Sequence, residues 1–292
     1  MRRRVGRNVV VLAAALAGTI AFAGGARAEN ECAACHEEVV KAFAKTGHGK
    51  AWASGKDYAT ASCASCHAGA AEHAASGGEK KPASLKQGPK ASASCLACHD
   101  GSPKQAHWQG SAHQRAGVAC ASCHNPHESR PGTPREAKGI PPSPTEVTKR
   151  CLECHGAVRA SLNQRSSHPL KDGTMDCASC HDPHGTSGEK LLKQASVNDL
   201  CYSCHQNLRG PFLWEHSPVR EDCLTCHKAH GSNNPKILQA RITQLCQSCH
   251  QQGRHQTIPG APASIWIDNK ACLNCHMQVH GTNHPSGPLF QR

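Results

Sequence analysis

Cys177-Ala178-Ser179-Cys180-His181 sets two thiols three positions apart and an imidazole directly behind the second. Asp182-Pro183-His184 follows, and Ser167-His168 precedes it. Two thiols at this spacing match the two vinyl groups of a porphyrin, and the adjacent histidine can bind the iron axially, so Cys-x-x-Cys-His is the attachment signature of c-type haem. The unit occurs ten times and uses all 20 cysteines. The pairs are Cys32/Cys35, Cys63/Cys66, Cys95/Cys98, Cys120/Cys123, Cys151/Cys154, Cys177/Cys180, Cys201/Cys204, Cys223/Cys226, Cys246/Cys249 and Cys272/Cys275. Their proximal histidines are His36, His67, His99, His124, His155, His181, His205, His227, His250 and His276. Structural disulfides and four-cysteine zinc sites are the competing uses of such pairs. Neither explains a histidine after the second cysteine in every copy. The cofactor expected is therefore ten covalently attached haems c.

Of the 22 histidines, twelve lie outside the motifs. The candidate distal ligands are His48, His73, His113, His127, His168, His184, His216, His230, His255 and His280, with His107 and His284 as spares. His127, His184 and His230 each lie three residues beyond a motif histidine. They cannot reach round the porphyrin to the far face of the same haem, so they are expected to ligate a neighbouring one. His280 sits in His-Gly, as His184 and His230 do, which favours it over His284. Only Met175 and Met277 could offer His/Met ligation in the mature chain. If every iron is bis-histidine, none has an open position for substrate, and the protein moves electrons rather than transforming a molecule at iron.

The elements that must position these groups are modest. The 292 residues begin with a leader: Arg2, Arg3, Arg4 and Arg7, an apolar run Val9 to Ala23, and Ala26-Arg27-Ala28 as a cleavage site. Residues 1–28 read as a signal peptide, since the apolar run is shorter than the roughly 20 residues needed to span a bilayer. No later stretch is apolar enough to cross a membrane. Residues 29–292 form a single decahaem domain. Five two-haem modules in series follow from the motif order, at about 32–73, 95–127, 151–184, 201–230 and 246–284. Two spacers interrupt them, Gly69 to Ser94 and the proline-rich Ser129 to Lys149.

Leu, Ile, Val and Phe make up 32 of the 264 mature residues. A chain below roughly 20% of these residues normally cannot offset its ordering entropy. Ten apolar macrocycles would supply the missing core, and the apoprotein should not fold. Short helical turns are expected at Glu37 to Lys45, Val147 to Leu162 and Leu191 to Leu208, with no period-2 strand runs. The fold class expected is a multihaem cytochrome c: mostly loop, few short helices, an elongated haem-packed array, no sheet.

The formal charge is +12, or +7 once the five leader arginines are removed. With two propionates per haem the holoprotein comes to about −3 oxidised and about −13 reduced, so the basic balance compensates propionates and does not indicate nucleic acid.

Ten motifs in this length, the leader, and the tail Cys272-Leu-Asn-Cys-His-Met-Gln-Val-His-Gly-Thr-Asn-His-Pro-Ser-Gly resemble the decahaem cytochromes of the MtrA/DmsE/PioA type over essentially the whole mature chain. That resemblance implies a bis-histidine haem wire, exported to the periplasm and associated with the outer membrane. Its implied partners are an outer-membrane β-barrel porin and, in many members, an extracellular multihaem cytochrome. Periplasmic or inner-membrane redox proteins would exchange electrons with it. Members serve outward metal or sulfoxide reduction and inward iron(II) oxidation alike. A soluble periplasmic shuttle would use the same chemistry without the barrel. A multihaem reductase with one open haem is the alternative of another class, and no motif carries the lysine that marks the catalytic haem of pentahaem nitrite reductases.

Overall fold

The computed structural model describes residues 24–54, 63–86, 90–127, 144–251 and 271–291. Most of the leader, most of the proline-rich spacer and His255 lie outside them. The chain divides into two compact units, Met1–Pro82 and Ala83–Arg292. The division falls inside the spacer Gly69 to Ser94.

Each motif is one turn of helix. The histidine N–H donates to the carbonyl of the first cysteine in eight of the ten, for example His124 to Cys120 at 2.9 Å, His181 to Cys177 at 2.9 Å and His227 to Cys223 at 3.1 Å. That i to i+4 closure puts both thiols on one side of the turn and the imidazole at its end. The described residues contain no strand, only four isolated bridges. No described helix is long and apolar enough to cross a membrane.

In the first unit the expected helix at Glu37 to Lys45 is the end of a longer one, Gly24–Ala44, which breaks at His36 (φ −122°, ψ 39°). The break re-aims the chain at the motif histidine. Thr46 caps the next helix, Gly47–Ala53, by accepting the Gly49 N–H at 3.1 Å.

In the second unit the expected turns over Val147 to Leu162 form as Pro144–Leu152 and Gly156–Leu162, with His155 between them. Those over Leu191 to Leu208 form as Val197–Tyr202, capped by Ser196, and a 3-10 turn Gln206–Leu208. Pro144–Leu152 and Val197–Tyr202 run into the first cysteine of a motif, and the other two start directly after its histidine.

Burial is scarce. The described apolar residues that are buried are Ala91, Trp108, Ala119, Leu162 and Leu238, and buried polar residues are as numerous. Polypeptide alone makes no continuous core. Order comes instead from local backbone bridges. Ser166 and Ser232 exchange two hydrogen bonds (2.9 and 2.8 Å), as do Trp214 and Thr282 (3.0 and 3.0 Å). Both bridges tie a segment two residues before a candidate distal histidine, His168 or His216, to the loop just after another, His230 or His280. Gly231, at φ +138°, fits this contact because any Cβ there would collide with the Ser161 carbonyl.

Asn198 is a second kind of tie. It is buried, its Nδ2 donates to the Val219 and Arg220 carbonyls at 3.0 Å each, and its Oδ1 accepts the Cys223 N–H at 2.8 Å. It thereby fixes the start of the eighth motif against the helix that leads into the seventh. Asn198→Ala leaves three backbone groups without this partner. Chemical denaturation of the holoprotein should show a loss of about 1–3 kcal/mol. An unchanged midpoint would show that the clamp is dispensable.

Candidate functional site

The histidines come together in facing pairs. Six are His36 with His73, His113 with His155, His124 with His184, His181 with His230, His216 with His250, and His227 with His280. Ring centroids are 6.0–6.2 Å apart in all six. Every pair joins one motif histidine to one candidate from outside the motifs. A metal held by two imidazole nitrogens at about 2 Å each sets the centroids about 6 Å apart. The residues therefore fit an iron between the rings. Interplanar angles are 13–27° in five pairs and 67° in His113–His155.

Except for His36–His73, the pairs run between modules. His124 faces a histidine of the next module, and so do His181 and His227. His155 and His250 face histidines of the previous one.

Backbone carbonyls hold the rings from behind. The Nδ1 of His73 meets the Lys80 carbonyl at 2.7 Å, that of His113 meets Pro183 at 2.9 Å, and that of His168 meets Ala229 at 2.8 Å. Behind the motif histidines, His181 meets Lys190 at 2.8 Å and His227 meets Lys236 at 2.9 Å, and His276 meets Leu289. A carbonyl only accepts, so each Nδ1 carries the proton and Nε2 keeps its lone pair for a metal. The arrangement is the outer partner that metal-bound histidines usually have.

Two of these carbonyls come from an unusual backbone. Lys190 and Leu191 have φ +53° and +57°, and Lys236 and Ile237 have φ +57° and +51°. Two successive left-handed residues turn one carbonyl to the histidine Nδ1 and the next to a backbone N–H. Leu191 accepts from Asp182 at 2.8 Å and Ile237 from Lys228 at 2.7 Å. The sequence reading missed this device. Its signal is the repeat His184-Gly-Thr followed by Lys190-Leu-Leu, matched by His230-Gly-Ser and Lys236-Ile-Leu.

Burial holds His216, His230 and His280 below the usual histidine range, and the facing rings His250, His181 and His227 push the same way. The neutral, ligating form is favoured. For His216 the Val279 carbonyl opposes that shift, yet the Nδ1 is buried without a well-formed hydrogen bond. His48 lies on the helix Gly47–Ala53, and His127 follows the fourth motif in a turn. Of the spares, the His107 carbonyl packs on Gly185, whereas the His284 Nδ1 accepts the Ser286 N–H at 3.1 Å.

The cysteines continue the order. In the second unit, Cys151 hydrogen-bonds Cys177, Cys201 hydrogen-bonds Cys223, and Cys246 hydrogen-bonds Cys272. Cys123 feels the charge of Cys154, Cys180 that of Cys201 and Cys204, and Cys226 that of Cys249. First cysteines thus meet within a module, and second cysteines approach between modules. The attachment points succeed one another unbroken from the fourth motif to the tenth. No cysteine from Cys151 to Cys275 is paired in a disulfide. Burial pushes Cys201 and Cys246 up to about 11. No group of three or more metal-ligating side chains forms among the described residues, so the zinc alternative finds no site there.

The two thiols of a motif differ in cover. The first cysteine of every motif is half-buried, whereas Cys35, Cys66 and Cys98 are exposed, as are Cys123, Cys154, Cys204, Cys249 and Cys275. At Cys35, Cys66 and Cys98 the polypeptide itself leaves the second sulfur uncovered, as expected where the macrocycle and not the chain supplies the core. The reason is local. Most second cysteines end a short helical turn that cannot cover its own last side chain, and after Cys35 the helix Gly24–Ala44 breaks at His36. Cys180 and Cys226 are half-buried because a returning loop closes over theirs. The Lys193 N–H donates to the Cys180 carbonyl at 3.0 Å, and the Gln239 N–H to that of Cys226 at 2.8 Å. Those returns follow the left-handed pairs Lys190-Leu191 and Lys236-Ile237. The sequence after Cys35, Cys66 and Cys98 carries no such repeat.

Known proteins share this pattern. The family model for the doubled CXXCH motif matches residues 168–210 and 216–255. That for cytochrome c554 and c-prime matches residues 31–125. The multiheme cytochrome MtrA of Shewanella baltica (strain OS185) is 40% identical over 278 residues, covering 90% of this chain and 81% of that protein. The chain belongs to the MtrA family of multihaem c-type cytochromes. Membership in the MtrA family accounts for the paired cysteines: the cofactor is covalently bound haem c, and the chemistry is electron transfer.

Covalent attachment makes a direct prediction. Protein from a host with haem-attachment machinery should have the mass of the mature chain plus ten haems, and a thiol reagent should label none of the 20 cysteines. The exposed Cys35, Cys66 and Cys98 make the reagent test sharp, since nothing but a thioether would protect them. Labelled thiols with fewer haems would show unused motifs.

Proposed function

We propose that this chain carries ten bis-histidine haems and serves as the electron conduit of an outer-membrane porin–cytochrome complex. The observation that carries the proposal is the set of facing ring pairs joined by an unbroken succession of haem attachment points. Haem c, when bound, supplies a one-electron iron couple at each site. The chain's own residues fix the axial nitrogens, keep them neutral, and bring each attachment turn against the next.

The facing pairs support bis-histidine ligation at the first, fourth, fifth, sixth, eighth and ninth motifs. For the seventh, His205, the candidate is His168, whose Nδ1 meets the Ala229 carbonyl as that of His113 meets Pro183. His48, His127 and His255 remain for the second, third and tenth. With both axial positions taken at every iron, no site is open to substrate, which favours a conductor over a reductase. The chain offers no membrane-crossing helix among its described residues. A β-barrel around it would satisfy the bilayer in place of a helix. Direction of flow follows from the redox partners at the two ends, not from this chain.

Two measurements test the proposal. Near-infrared magnetic circular dichroism of the ferric holoprotein should show low-spin bis-histidine haem throughout, and a stoichiometric high-spin component would point to an open, reductase-like site. Tagged protein drawn from outer membranes in mild detergent should bring a large β-barrel protein with it at fixed stoichiometry. Recovery only from the soluble periplasm would make it a diffusing shuttle.

A further inference from the structure

His184, His230 and His280 occupy the same place in three copies of one loop, each following a motif histidine and preceding a glycine of positive φ. Their neighbours differ in charge. Two residues before His184 stands Asp182. The same position holds Lys228 before His230, Gln278 before His280 and Asn125 before His127.

Asp182 is held toward the ring. Its Oδ1 accepts the His184 backbone N–H at 3.0 Å and lies 3.4 Å from the His184 Nδ1. Its own N–H is tied to Leu191 at 2.8 Å, and its carbonyl accepts from Gly185 at 3.2 Å. The side chains are 37% and 28% exposed, so solvent screens the pair only in part. Lys228 makes the same backbone bonds, to Ile237 at 2.7 Å and Gly231 at 3.0 Å. The loop therefore accepts either charge without changing its path.

We propose that Asp182 sets the potential of the haem held between His124 and His184, keeping it lower than its neighbours. The inference rests on the ligand reading above. A carboxylate held close to the Nδ1 of an iron-bound imidazole, here at 3.4 Å, raises the electron density of the ring and favours the ferric state. Its negative charge acts in the same direction. On reduction one electron arrives at the iron, and the proton stays on Nδ1. No bond forms or breaks. Lys228, at the same loop position two residues before His230, carries the opposite charge and is expected to act in the opposite sense on the sixth haem. The fourth and sixth haems of one continuous succession thus differ in potential through a single loop position.

The test exchanges the charges in the holoprotein. Asp182→Asn keeps the turn, since Asn125 Oδ1 already accepts the His127 N–H at 3.1 Å in the equivalent place. Spectroelectrochemical titration should move about one haem in ten upward, by roughly tenfold in the ferric-to-ferrous ratio, which is about 59 mV for one electron. Lys228→Asp should move a different haem downward by a similar factor. Titrations that superimpose on the wild type for both variants, at full haem content, would overturn the proposal. If Asp182→Asn loses haem, Lys228→Asp decides alone. His184→Ala separates the underlying reading: a new high-spin haem supports His184 as the ligand, and its absence overturns that reading and the proposal with it. A high-spin haem in His184→Ala together with unmoved potentials in the other variants would overturn the Asp182 proposal alone.

Discussion

The structure depends on imidazole facing imidazole across about 6 Å, the width that two metal–nitrogen bonds dictate. Little else in the chain could hold it together. Few side chains are buried, and those are small or polar as often as apolar. Each facing pair closes a long loop, from 34 residues for His216–His250 to 60 for His124–His184. Closing loops of that length costs entropy that the sparse polypeptide contacts would not repay. Metal–ligand bonds across each pair would repay it, and that couples folding to cofactor loading. Because five of the six pairs join different modules, no module is a free-standing unit.

The backbone around the pairs is arranged for the same end. Carbonyls of Pro183 and Ala229 meet the rings of His113 and His168, and these carbonyls directly precede His184 and His230. One candidate ligand is thereby hydrogen-bonded to the peptide that carries another. The left-handed pairs Lys190-Leu191 and Lys236-Ile237 hold the motif histidines from the opposite side. Left-handed backbone is costly for residues with a branched or long side chain. Its recurrence at the same step of two loops shows that the carbonyl position, not the side chain, is what the loop supplies. What varies between the loops is charge at one position, Asp182 against Lys228.

The haem-attachment residues were legible in the sequence, because covalent chemistry fixes their spacing locally. Their cover was not: Cys35, Cys66 and Cys98 are exposed where Cys180 and Cys226 are half-buried, and only a loop that returns ten or more residues later makes the difference. The absence of strands among the described residues and the short turns at 147–162 and 191–208 were legible because no periodic apolar face exists to build longer elements. The distal set could be drawn up from offsets, but which ring faces which could not. Residues 34 to 60 apart meet through loops whose paths carry no periodic signal. The carbonyl anchors were invisible because Lys190, Leu191, Lys236 and Ile237 are not the glycines that usually announce positive φ. The helix Gly24–Ala44 ran farther back than Glu37, since the first motif lies within a helical run and does not begin one.

The most direct test is anomalous diffraction at the iron edge from crystals of the haem-loaded protein. Iron peaks should fall midway between the facing rings, with His184 opposite His124, His230 opposite His181 and His280 opposite His227. At these three sites, irons bound instead by a histidine of the same module, by Met175 or Met277, or by water would contradict the account.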